Sequence, residues 1–219
     1  MKKLNYRVIV FSGIDGCGKT TIIEQLRSIL EHRGIKTQYV WLRYNHFFVK
    51  PILFFCKLIG LTTYEVIGDI RIGYHNFYKS RLISGIFICL TFWDTFLATL
   101  FKICIPLIFT RNLIICDRWV VDILVDLEID TGIPLFKKFC CVWRHFCKKF
   151  FLRTWVVILI KRSRELVLAD RLENRYSKTF IARYQLYETY SLLPCIKTVS
   201  NNGNISETVK NVMAAVSFI

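Results

Sequence analysis

Val8-Ile9-Val10-Phe11-Ser12-Gly13-Ile14-Asp15-Gly16-Cys17-Gly18-Lys19-Thr20-Thr21 decides how the rest of the 219-residue chain is read. Residues 13–20 fit Gly-x-x-x-x-Gly-Lys-Thr. An apolar β-type run precedes them, and a helical pattern follows, with Ile22, Ile23, Leu26, Ile29 and Leu30 at helical spacing. Strand, glycine loop and helix in that order predict a phosphate-binding loop. The glycines let backbone N–H groups close around an anion, and the helix directs its positive end to the same place. In such a loop Gly13, Ile14, Asp15, Gly16, Cys17, Gly18, Lys19, Thr20 and Thr21 bind the nucleotide. Lys19 reaches the β- and γ-phosphates of ATP, and the Thr20 hydroxyl ligates Mg²⁺.

Outward from this stretch the same alternation repeats. Helix is predicted over 19–33, with Gly34 as its stop, and strands over 36–42, 113–116, 155–160 and 196–199. A closing amphipathic helix is predicted over 206–216. The pattern implies an α/β fold: a parallel five-stranded sheet of the P-loop NTPase type, with helices on both faces and a small lid. The whole of 1–219 reads as one domain, with an apolar insertion at about 46–62 and the lid at about 171–180. Two segments are unusually apolar, 47–61 and 83–109. The second is long enough to raise a membrane span, but Asp94 near its middle favours a buried helix carrying a polar group.

The chain carries 31 Lys and Arg against 16 Asp and Glu, a formal charge of +15. That favours anionic partners: nucleotide, nucleic acid or a membrane surface. Nine cysteines show no paired, zinc-type spacing, which argues against a Cys/His metal site and fits a reducing, cytoplasmic setting. The start of the chain leads into a strand without a secretory-type leader. Residues 136–153 interleave bases with Phe136, Phe139, Trp143, Phe146 and Phe150 on one helical face, a pattern shared by core helices and by surfaces that bind nucleic acid or membrane.

Several polar residues stand where a parallel sheet presents its carboxyl edge. Asp117 ends Leu113-Ile114-Ile115-Cys116 and suits Mg²⁺ held through water; Arg118 beside it suits a phosphate clamp or a salt bridge to Asp117 or Asp122. Arg43 ends Val40-Trp41-Leu42 and suits an acceptor phosphate. Asp15 inside the loop suits a sugar hydroxyl or an incoming nucleophile. Lys161, Arg162, Arg164, Arg171, Arg175 and Arg183 form a basic series after a strand, and mobile arginines there could neutralise charge on a transferring phosphoryl group.

The segment from Phe11 to Thr21, with its Asp between the first two loop glycines, resembles the opening of thymidylate kinases. Asp117-Arg118-Trp119 is similar to their Asp-Arg-Tyr motif, and the Arg-rich helix, lid, and Tyr184, Tyr187 and Tyr190 follow in matching order. The resemblance implies ATP-dependent phosphorylation of a nucleoside monophosphate, dTMP or a related one, with Mg²⁺. It implies a homodimer. Together with the reading of the residues it makes Lys19, Asp15, Arg118, Arg171 and Arg175 catalytic, places Asp94, Asp117 and Arg118, with Arg43 from its strand end, at the acceptor, and places Thr20 and Asp117 at the metal. Cys17 stands where some members carry an Arg, as in members that bring that Arg from the lid. The chain departs from the pattern at Trp119 and at Thr95, which follows Asp94 where an Arg is expected; Arg43, Arg71 or Arg81 are the candidate substitutes. Two other readings remain open: a P-loop kinase acting on another acceptor such as a nucleic-acid end, and a non-catalytic ATP-binding regulatory or membrane-surface module.

Overall fold

Strand β1 (Val8–Ser12) is buried along its whole length, side chains on both faces included. That is the mark of a central strand covered from both sides. In the computed structural model, which describes residues 6–43, 47–136 and 154–216, β1 lies in the middle of a five-stranded sheet of order β2-β5-β1-β6-β7. Its members are β2 (Thr37–Trp41), β5 (Leu113–Asp117), β6 (Trp155–Lys161) and β7 (Ile196–Ser200), and every pairing is parallel. β5 and β6 flank β1 and are almost as apolar and as buried. The expected strands are therefore present, with ends shifted by a residue.

Helices cover the sheet. α1 (Lys19–His32) buries Ile22, Ile23, Leu26 and Leu30 and packs with α9 (Ile205–Val216). α5 (Val120–Thr131) packs with α8 (Phe180–Ser191). Each large aliphatic side chain taken from water on these faces contributes about 1.5–3 kcal/mol. Arg33 and Gly34 end α1, Gly34 N–H reaching Glu31 O at 2.9 Å, where the sequence places its stop.

Between β2 and β5 the chain builds a second unit. α2 (Val49–Leu58) is followed by an antiparallel hairpin, β3 (Thr62–Ile67) and β4 (Ile70–His75), which the sequence reading does not foresee. The signal was present: two β-branched runs separated by Gly68-Asp69. α3 (Arg81–Thr99) then runs through a wide π-type turn at Leu100–Cys104 into α4 (Ile105–Phe109). Pro106 has no N–H to give the carbonyl one turn earlier, and the widened turn lies directly ahead of it. The expectation of a buried helix over 83–109 is corrected here. Only about a quarter of this stretch is buried, in a stripe on one side.

After β6 stand two short helices, α6 (Arg164–Asp170) and α7 (Leu172–Tyr176); the segment expected as a lid, about 171–180, takes in α7 and the turn that follows it. The basic, aromatic stretch read from the sequence at 136–153 lies, beyond Phe136, outside the described residues.

Candidate functional site at the sheet's carboxyl edge

A parallel sheet delivers all its strand ends to one edge. β1 sends its connection toward β2, whereas β5 sends its own across β1 to β6. The carboxyl ends of β1 and β5 therefore bound the crevice where the strand order reverses, the usual ligand position in open α/β sheets. The loop 13–18 leaves β1 there, and Asp117 and Arg118 leave β5. A cleft of about 540 Å³ opens between them, walled by Lys19, Thr20, Thr21, Arg43, Asp117, Arg118, Arg162, Arg171 and Asn201, among others.

The loop holds its shape through contacts that only glycine permits. A Cβ on Gly13, at φ 144°, would sit 2.6 Å from Ile160 O, a backbone atom that cannot swing away. One on Gly18, at φ 90°, would sit 2.4 Å from Asn201 Nδ2. Asn201 itself ties the loop to β7's end, donating from Nδ2 to Cys17 O at 2.8 Å while its Oδ1 accepts from Thr208 Oγ1 at 3.0 Å. Lys19 is almost fully buried, and its ammonium donates to Gly13 O at 2.6 Å and Ile14 O at 2.8 Å. No side chain caps the first turn of α1.

Asp117 is buried, and Tyr39 Oη donates to its Oδ2 at 2.9 Å. Its Oδ1 has no hydrogen-bond partner among the described residues. Burial raises its pKa, only partly countered by the Tyr39 hydrogen bond, Lys19 and Arg118. A buried carboxylate oxygen without a protein donor is an unmet acceptor, and in a cleft it suits a metal-bound water.

Arg118 is the one non-glycine residue of positive φ (65°) among the described residues. Such a backbone costs about 1–3 kcal/mol and is held by what surrounds it. Here its N–H donates to Phe11 O at 2.8 Å, its Nη1 to Asp122 Oδ1 at 2.9 Å, and its Nη2 pairs with Asp15 Oδ1. Asp122 is fully buried and also accepts from Tyr187 Oη at 2.8 Å. The salt-bridge partner is thus Asp122, with Asp15 opposite. Burial works to raise the Asp15 pKa, but Arg118, Arg43 and Lys19 outweigh it and hold that carboxyl well below the usual range.

Arg43 donates to Asp15 Oδ2 at 2.9 Å and makes a two-pronged pair with Asp126, at 2.9 and 3.0 Å. Arg183 pairs with the same Asp126. Arg43 also lines a second, narrow cavity of about 50 Å³ between α2, α3 and α5, with Leu53, Phe87, Thr91 and Thr95 among its walls. Thr91 Oγ1 is buried there without a partner among the described residues. Asp130 lines it too, and burial pushes its pKa up to about 8 against the pull of Arg183 and Arg43.

The expected residues separate accordingly. Asp15, Gly16 and Gly18 of the loop, Lys19, Thr20, Thr21, Arg43, Asp117, Arg118 and Arg171 meet at the cleft, whereas Gly13, Ile14 and Cys17 are not among its walls. Arg175 instead donates from Nε to Leu168 O at 2.6 Å and is not among the cleft walls. Asp94 borders the second cavity, and its carboxylate accepts from the backbone N–H groups of Phe47, Phe48 and Val49 at 2.9, 2.9 and 3.1 Å, so it anchors the start of α2. Thr95 bonds back to Thr91 O, and Trp119 Nε1 donates to Thr99 Oγ1 at 2.9 Å. Of the cations considered for Thr95's place, Arg71 lies over the Tyr64 ring, Arg81 is exposed at the start of α3, and Arg43 alone borders both cavities. Sequence reasoning missed Asp126, Asn201 and Asn174, whose Nδ2 reaches Asp15 O at 2.9 Å. It gave Arg162 no place of its own; Arg162 Nη1 donates to Gly16 O at 2.8 Å.

No protein-family model matches this chain, and no curated protein is found similar to it.

Proposed function

We propose that the protein is a P-loop kinase of the nucleoside-monophosphate type, transferring the γ-phosphoryl group of ATP to dTMP or a related monophosphate in the cytoplasm. The observation that carries this reading is one crevice that gathers a glycine loop with its lysine, a carboxylate oxygen awaiting a partner, and four arginines from four different segments. Phosphoryl transfer asks mainly for position and positive charge, and that inventory supplies both.

The geometry supports the following roles. The backbone of 13–18 and the open first turn of α1 would cradle the β- and γ-phosphates, and Lys19 would exchange a carbonyl contact for a phosphate oxygen. Thr20 and, through water, Asp117 would hold Mg²⁺, which neutralises charge on the phosphate oxygens; the unpartnered Asp117 Oδ1 fits that task. Arg162, just after β6, and Arg171, at the start of the expected lid, would serve the donor phosphates. Arg43 and Arg118, already aligned by Asp15, would orient the acceptor phosphate in line. The narrow cavity behind Arg43, apolar with Thr91 as an open donor, would admit part of the acceptor.

The test is ATP-to-ADP turnover with Mg²⁺ over a panel of nucleoside and deoxynucleoside monophosphates. Turnover with dTMP, abolished in Lys19→Ala, is the expected result. Turnover with another monophosphate moves the specificity and keeps the mechanism. ATP binding with no acceptor-dependent turnover overturns the proposal and leaves the nucleic-acid acceptor or the non-catalytic module.

A further inference from the structure

α3 is built inside out. Its buried stripe carries Ser84, Thr91, Asp94 and Thr99 beside Phe87 and Ala98, whereas its outward stripe carries Leu82, Ile86, Cys89, Trp93 and Phe96 at alternating steps of four and three residues. Leu82 is 73% exposed, Trp93 56% and, beyond the π-type turn, Phe109 81%. An ordinary surface helix turns its apolar stripe to the core and its polar stripe to water. The neighbouring α2 adds outward Phe54, Phe55, Leu58 and Ile59, and the hairpin adds Tyr64 and Val66. α2 packs on both α3 and β3, so these outward apolar side chains belong to one unit, and exposed apolar surface on this scale marks an interaction site.

The charges on the same unit say what it meets. Lys50, Lys57, Arg71, Lys79 and Arg81 are all exposed. Between Phe47 and Phe109 the acids are Glu65, Asp69 and Asp94. Asp94 is buried against backbone N–H groups, and Glu65 pairs with Lys178. A second copy on this face would set one net-positive surface against another. A surface that is apolar a few ångströms down and anionic at its rim would satisfy both features at once.

We infer that the α2–α3 face seats this protein on an anionic lipid bilayer, with α3 lying in the plane of the interface. This does not rest on the reading of the cleft. Leu82, Trp93, Phe96 and the phenylalanines of α2 enter the headgroup–acyl boundary, and the rim cations meet lipid phosphates and carboxylates.

Cosedimentation of the full chain with vesicles of phosphatidylcholine, and of phosphatidylcholine with phosphatidylserine, tests this. The protein should pellet with the second kind and be released as salt rises. Trp93→Glu should weaken partitioning at least about tenfold. Lys50→Glu with Arg81→Glu should erase the preference for phosphatidylserine while keeping the far-UV circular dichroism. If Trp93→Glu fails to fold, brominated lipid still decides: it should quench the wild-type tryptophan emission, and quench Trp93→Phe much less while that variant still binds. No pelleting at low salt, equal pelleting of a folded Trp93→Glu, or no quenching would overturn the inference. So would a dimer in vesicle-free solution that Trp93→Glu splits, with no lipid association; the face would then belong to a second copy.

Discussion

Gly18→Ala would force a methyl group toward Asn201 Nδ2 and hold an alanine at φ 90°. The expected loss is roughly 1–3 kcal/mol in urea unfolding, with nucleotide affinity falling alongside. Adding Asn201→Ala removes the clash but not the backbone strain, so the double variant should recover only part of that loss. Among the arginines, the expectation divides by what each touches. On the proposed kinase reading, Arg171→Ala should lower kcat about 10²–10³-fold, the size of losing a transition-state donor, whereas Arg175→Ala, which breaks a bond to Leu168 O, should change kcat by less than about tenfold. Asp130 gives a pH signature. Its pKa is about 8 in the fold and near 3.9 in an unfolded chain, so the protonated form favours the folded state. That contribution is complete below about pH 4 and is lost as pH rises through about 8. Asp130→Asn should flatten the decline in stability between those limits and raise stability above pH 8 by on the order of 1–2 kcal/mol, read from unfolding midpoints across pH.

The start of α2 depends on an acid that sequence reading assigned to the acceptor. Three N–H groups converge on Asp94, an arrangement that stabilises a helix start by charge as well as by hydrogen bonding. Asp94→Ala should cost about 1–3 kcal/mol and should speed amide exchange at Phe48 and Val49 before it affects the sheet, as hydrogen exchange would show. Asp94 illustrates why elements were easier to read than roles. The sheet strands and α1 are written locally, in runs such as Leu113–Asp117 whose burial and length are enough. Asp94's partners lie 45 to 47 residues away, and nothing near Phe92-Trp93-Asp94-Thr95 names them. The burial of α3 was misjudged for the same reason: apolar content reports that a helix seeks an apolar surface, not whether that surface is its own core. The hairpin is a different case, since Gly68-Asp69 between β-branched runs is a local signal, lying between the two apolar stretches that draw the eye.

At the scale of the molecule, one parallel sheet turns distant residues into neighbours. Motif spacing placed the loop, Lys19, Asp117 and Arg118 at one edge, because strand ends of a parallel sheet must share it. It could not supply Asp126, which sits mid-helix in Val125-Asp126-Leu127 and gains its meaning from Arg43, 83 residues earlier, and Arg183, 57 residues later. Nor could it divide Arg171 from Arg175: Arg171 stands at the turn between α6 and α7, and Arg175 within α7. Arg43 has a consequence of its own. It closes one wall of the cleft and one wall of the narrow cavity, with a single charge shared between Asp15 and Asp126. Whatever enters either chamber changes the field its neighbour meets. Occupants of the two must therefore report on each other, and by the same factor in both directions. Titration of ATP with the monophosphate present, and of the monophosphate with a non-hydrolysable ATP analogue present, should return equal shifts in affinity, and Arg43→Lys should shrink both together.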